Sequence, residues 1–133
     1  EFSQAIPMLV KRVMDGEDPV IIWGSGKQRR NYMHAFDCAK IMRRLVEVGY
    51  GGPAVNIGLE DTISSYDLVT LICRLGGKSP QLMVDLGKPE GRFCKSASSV
   101  LLREILGDLD ISVNLETGIG RMICWYHKNF INN

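Results

Sequence analysis

What this chain has little of narrows its function before any motif is read. It holds two histidines and four cysteines, Cys38, Cys73, Cys94 and Cys124, scattered along 133 residues without a Cys-x-x-Cys pair. That pattern supports neither a zinc site nor a secreted disulfide framework, and it predicts reduced thiols. Two histidines in ordinary contexts give no Ser-His-Asp or Cys-His arrangement. Net charge is nearly absent, with sixteen basic residues against fifteen acidic ones, so no global field draws the chain to nucleic acid or acidic lipid. Any anion site is therefore local. No apolar run approaches the roughly 20 residues that cross a bilayer, no signal-peptide layout opens the chain, and there is no repeat or low-complexity tract. Together these absences predict a soluble, cytoplasmic chain with no membrane or nucleic-acid partner. A chain of this length hides roughly two-thirds of its unfolded surface, so a single domain over 1–133 is expected.

Against that background the richest stretch is Trp23-Gly24-Ser25-Gly26-Lys27-Gln28-Arg29-Arg30-Asn31-Tyr32, where two glycines and three cations fall together. The β-branched run over 19–23 reads as one strand, and the alternation over 31–36 reads as a second. Gly24 and Gly26 let the connecting backbone turn where a Cβ would clash. Arg30 then leaves the loop anchored on a strand, and a guanidinium held that way offers paired donors to a phosphate. A basic hairpin tip that is merely well solvated fits the same spacing.

The remaining order is mixed α/β. A helix from about residue 3 to 14 carries Ile6, Leu9, Val10 and Val13, with Ser3 as cap and Asp15-Gly16 as stop. Asp37 is read as the cap of a second helix, with Ile41, Met42, Leu45 and Val46 on one face and a solvated face of Lys40, Arg43, Arg44 and Glu47. Residues 54–58 read as a short buried strand, and Thr62-Ile63 as a brief extended piece. Ser64 with Asp67 forms a capping-box variant opening a third helix, which Gly76-Gly77 closes. A strand over 80–84 precedes an irregular basic loop, 85–96, bearing Lys88, Arg92 and Lys95. Ser98 or Ser99 caps a fourth helix ended by Gly107. The last helix follows Asn114, and its Gly118 and Gly120 are read as permitting close packing. His34 is expected to be a half-buried strand histidine. His127 should sit well against a helix C-terminus, and Trp125-Tyr126 should act as core or interface anchors.

Taken in order, the first helix, Trp-Gly-Ser-Gly loop, Arg-x-Tyr strand, Asp-capped helix, Asn-Ile-Gly strand, Ser-x-x-Asp helix, Lys-Pro-Glu-Gly loop and Trp-Tyr final helix resemble the C-terminal part of the extended short-chain dehydrogenase/reductases. These are NAD(P)-dependent nucleotide-sugar epimerases, dehydratases and reductases, and the likeness leans toward their GDP-fucose synthase and GDP-mannose epimerase types. It implies an α/β lobe, a small mixed sheet with packed helices, that closes over a GDP- or UDP-linked sugar while a separate Rossmann domain holds NAD or NADP.

On that resemblance Trp23 lies by the nucleotide, Arg30 meets phosphate or ribose, and Ile6 and Pro7 line the base pocket. Lys88-Pro89-Glu90-Gly91 matches a loop closing on the diphosphate, with Cys94 near the place of the usual arginine and Arg92 and Lys95 flanking it. Gln28 is assigned a hydrogen bond to the base. Two family features are missing from the sequence. No Gly-x-Gly-x-x-Gly follows a strand and opens a helix, as a dinucleotide pyrophosphate requires. None of Tyr32, Tyr50, Tyr66 and Tyr126 has Lys four residues on, the pairing that lowers a tyrosine pKa for proton exchange. The expectation is a binding lobe with no cofactor of its own and no catalysis alone, either a fragment or a free-standing lobe. The alternative is an interaction module that pairs with itself as a homo-oligomer through the surface left by the missing domain.

Overall fold

The computed structural model describes residues 4–131. Helix α1 (Ala5–Met14) turns Val10, Val13 and Met14 inward and stops at Asp15. Its N-cap position is Gln4, which makes no side-chain capping bond; Ser3 lies outside the described residues. Strand β1 (Val20–Trp23) pairs in parallel with β4 (Leu82–Asp85), from Val20 opposite Leu82 to Trp23 opposite Asp85. Strand β2 (Arg29–Arg30) is the centre of a second sheet, antiparallel to β3 (Ile63–Ser64) and parallel to β5 (Cys94–Lys95). The architecture is thus α/β with small sheets and packed helices, as expected.

The two strands flanking the glycine loop do not form a hairpin. They belong to different sheets, because β4 occupies the edge of β1 while β3 and β5 take both edges of β2. The strand expected over 31–36 is absent, and β2 lies just before it. Residues 31–34 carry no strand pairing, and Ala35 already opens α2 (Ala35–Glu47). His34 is the reason: it occupies the N-cap, and its Nδ1 accepts the Phe36 N–H at 3.2 Å, so it is a cap and not a strand histidine. Residues 54–58 likewise pair with no strand. Val55 and Ile57 earn their places by packing on a hydrophobic cluster instead.

Local capping signals hold where they are self-contained. Ser64 caps α3 (Ser65–Leu75), its Oγ accepting Asp67 N–H at 3.0 Å while donating to the Asp67 carboxylate at 2.6 Å. Asn114 caps α5 (Leu115–Tyr126) through the Thr117 N–H at 2.8 Å. Ser99 precedes α4 (Val100–Leu106) but makes no capping bond; its hydroxyl donates to Glu60 at 3.0 Å and accepts from Arg103 Nε at 3.3 Å. Gly118 and Gly120 are not demanded by packing. A Cβ at Gly118 would meet only ordinary contacts, the nearest 3.5 Å away on His34, and one at Gly120 would meet nothing within 4 Å.

Two hydrophobic clusters carry the fold. The larger joins α1, β1, α3 and α5 through Val10, Val20, Leu68, Ile72, Ile119 and Tyr126. The smaller joins α2 and α4 through Ile41, Leu102, Leu106 and Leu109. Three side chains on successive turns of α2 fasten the 106–113 segment that runs into α5. Arg44 donates to the carbonyls of Asp108 and Leu106, Lys40 bonds the Asp110 carboxylate and carbonyl, and Asp37 accepts the N–H groups of Ser112 at 3.0 Å and Val113 at 2.9 Å. The face read as merely solvated is therefore half clamp, and Asp37 is not the cap of its own helix.

Asp37 is 1% exposed. Burial pushes its carboxyl up, but the Ser112 and Val113 amides, with Lys40 nearby, outweigh burial and hold it below its ordinary 3.8. Hydrogen bonds to a charged group contribute about 1.5–3 kcal/mol, whereas an exposed helix pair such as Arg43–Glu47 contributes about 0.5 kcal/mol or less. Asp37→Ala should therefore lower the unfolding free energy by about 2 kcal/mol in urea titration, and Glu47→Ala should leave it almost unchanged. Because this carboxyl ionises more readily folded than unfolded, its contribution is complete above pH 3.8 and drains away as acid carries the pH through the lower folded value. Wild-type stability should fall more steeply than that of Asp37→Asn below pH 4, roughly the unfolded carboxyl value.

Candidate functional site

Trp23 ends β1 with 56% of its surface exposed. The chain then bends through Gly24 and Gly26, at φ of +69° and +72°, a left-handed region that glycine enters without steric cost. Gly24 N–H continues the β1–β4 ladder to the Asp85 carbonyl at 2.9 Å. Ser25 sits at the apex with two donors on one side, and both are occupied. Its N–H reaches Glu90 Oε2 at 3.3 Å and its hydroxyl reaches Glu90 Oε1 at 2.5 Å. The Ser25 hydroxyl, then the Ser25 amide, and last the charge of Lys27, hold the Glu90 carboxyl below its usual range against a small opposing effect of burial. The anion held at this turn is the chain's own Glu90 carboxylate, and it is the Ser25 amide and hydroxyl that bond it, not the loop's cations.

Arg29 and Arg30 face different tasks. Arg29 fastens β3, its Nε donating to Thr62 Oγ1 at 2.9 Å, while its backbone N–H donates to the Phe93 carbonyl at 2.6 Å. Arg30 is half-exposed, and its Nη1 donates to the carbonyls of Arg29 at 2.6 Å and Arg92 at 2.9 Å. That pins the guanidinium beside the segment carrying Lys88, Arg92 and Lys95, whose side chains are exposed. Lys88 Nζ stands 5.6 Å from the centroid of the Trp23 ring, a cation–π distance. Each of the five ion pairs found among the described residues lies elsewhere, so Arg30, Lys88, Arg92 and Lys95 form a cationic group without a carboxylate in ion-pair contact.

The structure thus gathers Trp23, Arg30, Lys88, Arg92 and Lys95 around one turn. Gln28 is adjacent but committed. Its Nε2 donates to the Trp23 carbonyl at 2.9 Å, its Oε1 is enclosed without a partner, and the side chain is 8% exposed. Rather than presenting an amide to a base, it braces the turn from within. Ile6 and Pro7 are elsewhere, lining a cavity of about 530 Å³ with Tyr32, His34, Leu115 and Met122. A second cavity, of about 710 Å³, holds Trp23 and Gln28 with Met8, Leu9 and Ile21. Gln4 and Ala5 border both, so the first turn of α1 separates the two groups of site residues. Cys94 is an exposed thiol on β5, near the place where the resemblance expected arginine.

Two residues at the candidate site escape a reading of motifs. Glu90 stood in plain view inside Lys-Pro-Glu-Gly, and Ser25 inside Trp-Gly-Ser-Gly, yet their 65-residue separation hides the pairing. Among the described residues no group of His, Cys, Asp and Glu could hold a metal ion, and no helix is long and apolar enough to cross a membrane. Nor does the turn fit a dinucleotide pyrophosphate. It leads into β2 instead of a helix, its Ser25 donors face Glu90, and a Cβ built on Gly24 would lie 2.8 Å from Glu90 Cβ.

Comparisons with known proteins agree with this architecture. The family described as "NAD dependent epimerase/dehydratase family" matches residues 2–58. GDP-L-fucose synthase 1 of Arabidopsis thaliana is 29% identical over 99% of this chain and 42% of its own length. GDP-L-fucose synthase of Azorhizobium caulinodans is 32% identical over 70% of this chain and 31% of its own. In fold, a GDP-L-fucose synthetase from Naegleria fowleri superposes with a TM-score of 0.82 at 19% identity, covering 97% of this chain and 41% of that one. A dTDP-glucose 4,6-dehydratase from Bacillus anthracis, solved in complex with NAD, gives 0.81 at 20% identity over 95% and 40%. The chain spans less than half the length of these relatives. Its sequence is similar to the NAD dependent epimerase/dehydratase family over residues 2–58, and its fold resembles the C-terminal lobe of an extended short-chain dehydrogenase/reductase.

Proposed function

We propose that this lobe binds the diphosphate of a nucleotide-sugar on behalf of an NAD(P)-dependent sugar epimerase, dehydratase or reductase, and that it does not catalyse alone. One observation carries the reading. The Arg30 guanidinium is fixed by two backbone carbonyls while Lys88, Arg92 and Lys95 stand nearby, all without carboxylate partners. Cations that a fold holds in place but leaves unpaired are suited to an anion that arrives from outside. The exposed Trp23 face offers stacking area next to them. The sugar would then be oriented by contacts remote from the reacting carbon, which is how binding energy reaches a chemical step. NAD(P) would supply hydride chemistry from the family's dinucleotide domain, and the residues present here build no site for it. The relatives named for GDP-L-fucose synthesis make GDP-linked sugars the first substrates to try.

The two cavities flanking the start of α1, one lined in part by Ile6 and Pro7 and the other by Met8 and Leu9, support a second reading in which this face pairs with another copy. Sedimentation at micromolar protein separates the two: a monomer that binds nucleotide favours the first, and a dimer indifferent to nucleotide favours the second. For the lobe by itself, GDP-mannose should bind in the millimolar range, about −4 kcal/mol. In a ¹H–¹⁵N titration the Trp23 indole and Arg30 side-chain signals should move together, and Arg30→Ala should weaken binding about tenfold, or 1.4 kcal/mol. An unchanged spectrum at several millimolar nucleotide, roughly the limit set by that affinity, contradicts the assignment.

A further inference from the structure

The segment between β4 and β5 has little apolar reason to stay where it is. Leu86 and Phe93 are 75% and 63% exposed, and Lys88 and Arg92 are also on the outside. What holds it is polar and converges on the glycine turn. At its start, Lys88 N–H bonds the Asp85 carbonyl at 3.1 Å and the Lys88 side chain lies over Trp23. At its end, the Arg92 carbonyl is taken by Arg30 and the Phe93 carbonyl by Arg29 N–H. Midway, Glu90 spans from the segment to both donors of Ser25. The turn is shaped for that approach: a Cβ on Gly24 would fall 2.8 Å from Glu90 Cβ and 3.2 Å from its Cα.

We propose that Glu90 is a latch, an anion supplied by the chain itself that docks residues 86–93 as a strap on the Gly24–Gly26 turn. Closed, it sets Lys88 and the Arg92 backbone in register with Trp23 and Arg30. It also fills the turn's own anion-binding donors, so an incoming diphosphate meets the guanidinium and ammonium groups beside the turn and not the Ser25 amide. Glu90 is thus a positioning residue that need not touch the ligand. The latch stands on the contacts within the chain, while its effect on ligand rests on the nucleotide-sugar reading above.

The test uses the 133-residue chain as wild type, Glu90→Ala, Ser25→Ala, the double variant and Glu90→Gln, with backbone order parameters measured without ligand. In Glu90→Ala the strap should fall from an ordered value to below about 0.6, while α3 and α5 stay near 0.85, the rigid-backbone level. Exchange of the Ser25 amide should quicken at least fivefold, an amount within reach of one charge-assisted hydrogen bond. Ser25→Ala keeps the backbone N–H bond and loses only the hydroxyl's, so it should loosen the strap less, and the double variant should be no looser than Glu90→Ala, which already removes both bonds. Glu90→Gln keeps an acceptor for the Ser25 hydroxyl and should retain at least half of the lost order. Wild-type order in Glu90→Ala, additive effects in the double variant, or a glutamine variant as loose as alanine would each overturn the latch. GDP is then titrated into the same proteins. At least threefold weaker binding to Glu90→Ala supports the positioning role, and equal binding overturns it. If GDP fails to bind wild type at all, the nucleotide reading falls, while the order parameters still decide the latch.

Discussion

The left-handed turn at Gly24 and Gly26 is the constraint from which the site follows. It carries the chain out of one two-stranded sheet and into another three-stranded one, and it does so in a space too tight for a side chain at Gly24. Gln28 braces it from inside through the Trp23 carbonyl, and α3 meets it through the Ser65 and Tyr66 N–H groups on the Gln28 and Gly26 carbonyls. Trp23 and Arg30 leave its two ends, so their separation is set by the turn and not by their own rotamers. Glu90 closes it from outside. A change at the turn would displace both sheets and both site residues together.

Packing supports that arrangement from two directions. The larger core fixes β1, and hence Trp23, between α1, α3 and α5. The smaller core would hold α2 and α4 without reference to the site, were it not for the ties from Asp37, Lys40 and Arg44 to the 106–113 segment. Those ties lead directly into α5, whose Ile119, Ile123 and Tyr126 belong to the larger core. A polar seam thereby joins two apolar clusters. Tyr126 makes a further link, its hydroxyl donating to Asp15 at 2.5 Å just past the end of α1.

What could be read from the sequence depended on distance along the chain. The Ser64–Asp67 box and the Asn114 cap involve residues three apart and stand as expected. So does β1, a β-branched run whose burial needs only one partner strand. The failures are all matters of who pairs with whom. The alternation over 31–36 looked like a strand, yet His34 caps a helix there, and the edges of β2 were already taken by chain far away. Asp37 has a cap's composition but finds its partners 75 and 76 residues on. Within the site, the cations and Trp23 were legible because glycine and charge cluster locally. The Glu90 contact was hidden by its 65-residue span, and Ile6 and Pro7 fell on the far side of α1, which spacing along the helix does not reveal. The family resemblance supplied what local patterns lacked, because it encodes the order of elements, and relatives covering nearly the whole chain bear it out.

The central claim is that Arg30, held by two backbone carbonyls, and the unpaired cations near it recognise a diphosphate. Calorimetric titration of the chain with GDP and with guanosine isolates that term, since the two share a base and ribose and differ only by the diphosphate. The account predicts that guanosine binds at least tenfold more weakly than GDP, a difference of about 1.4 kcal/mol, and that the gap shrinks as salt rises. Equal affinities at every salt concentration would contradict it.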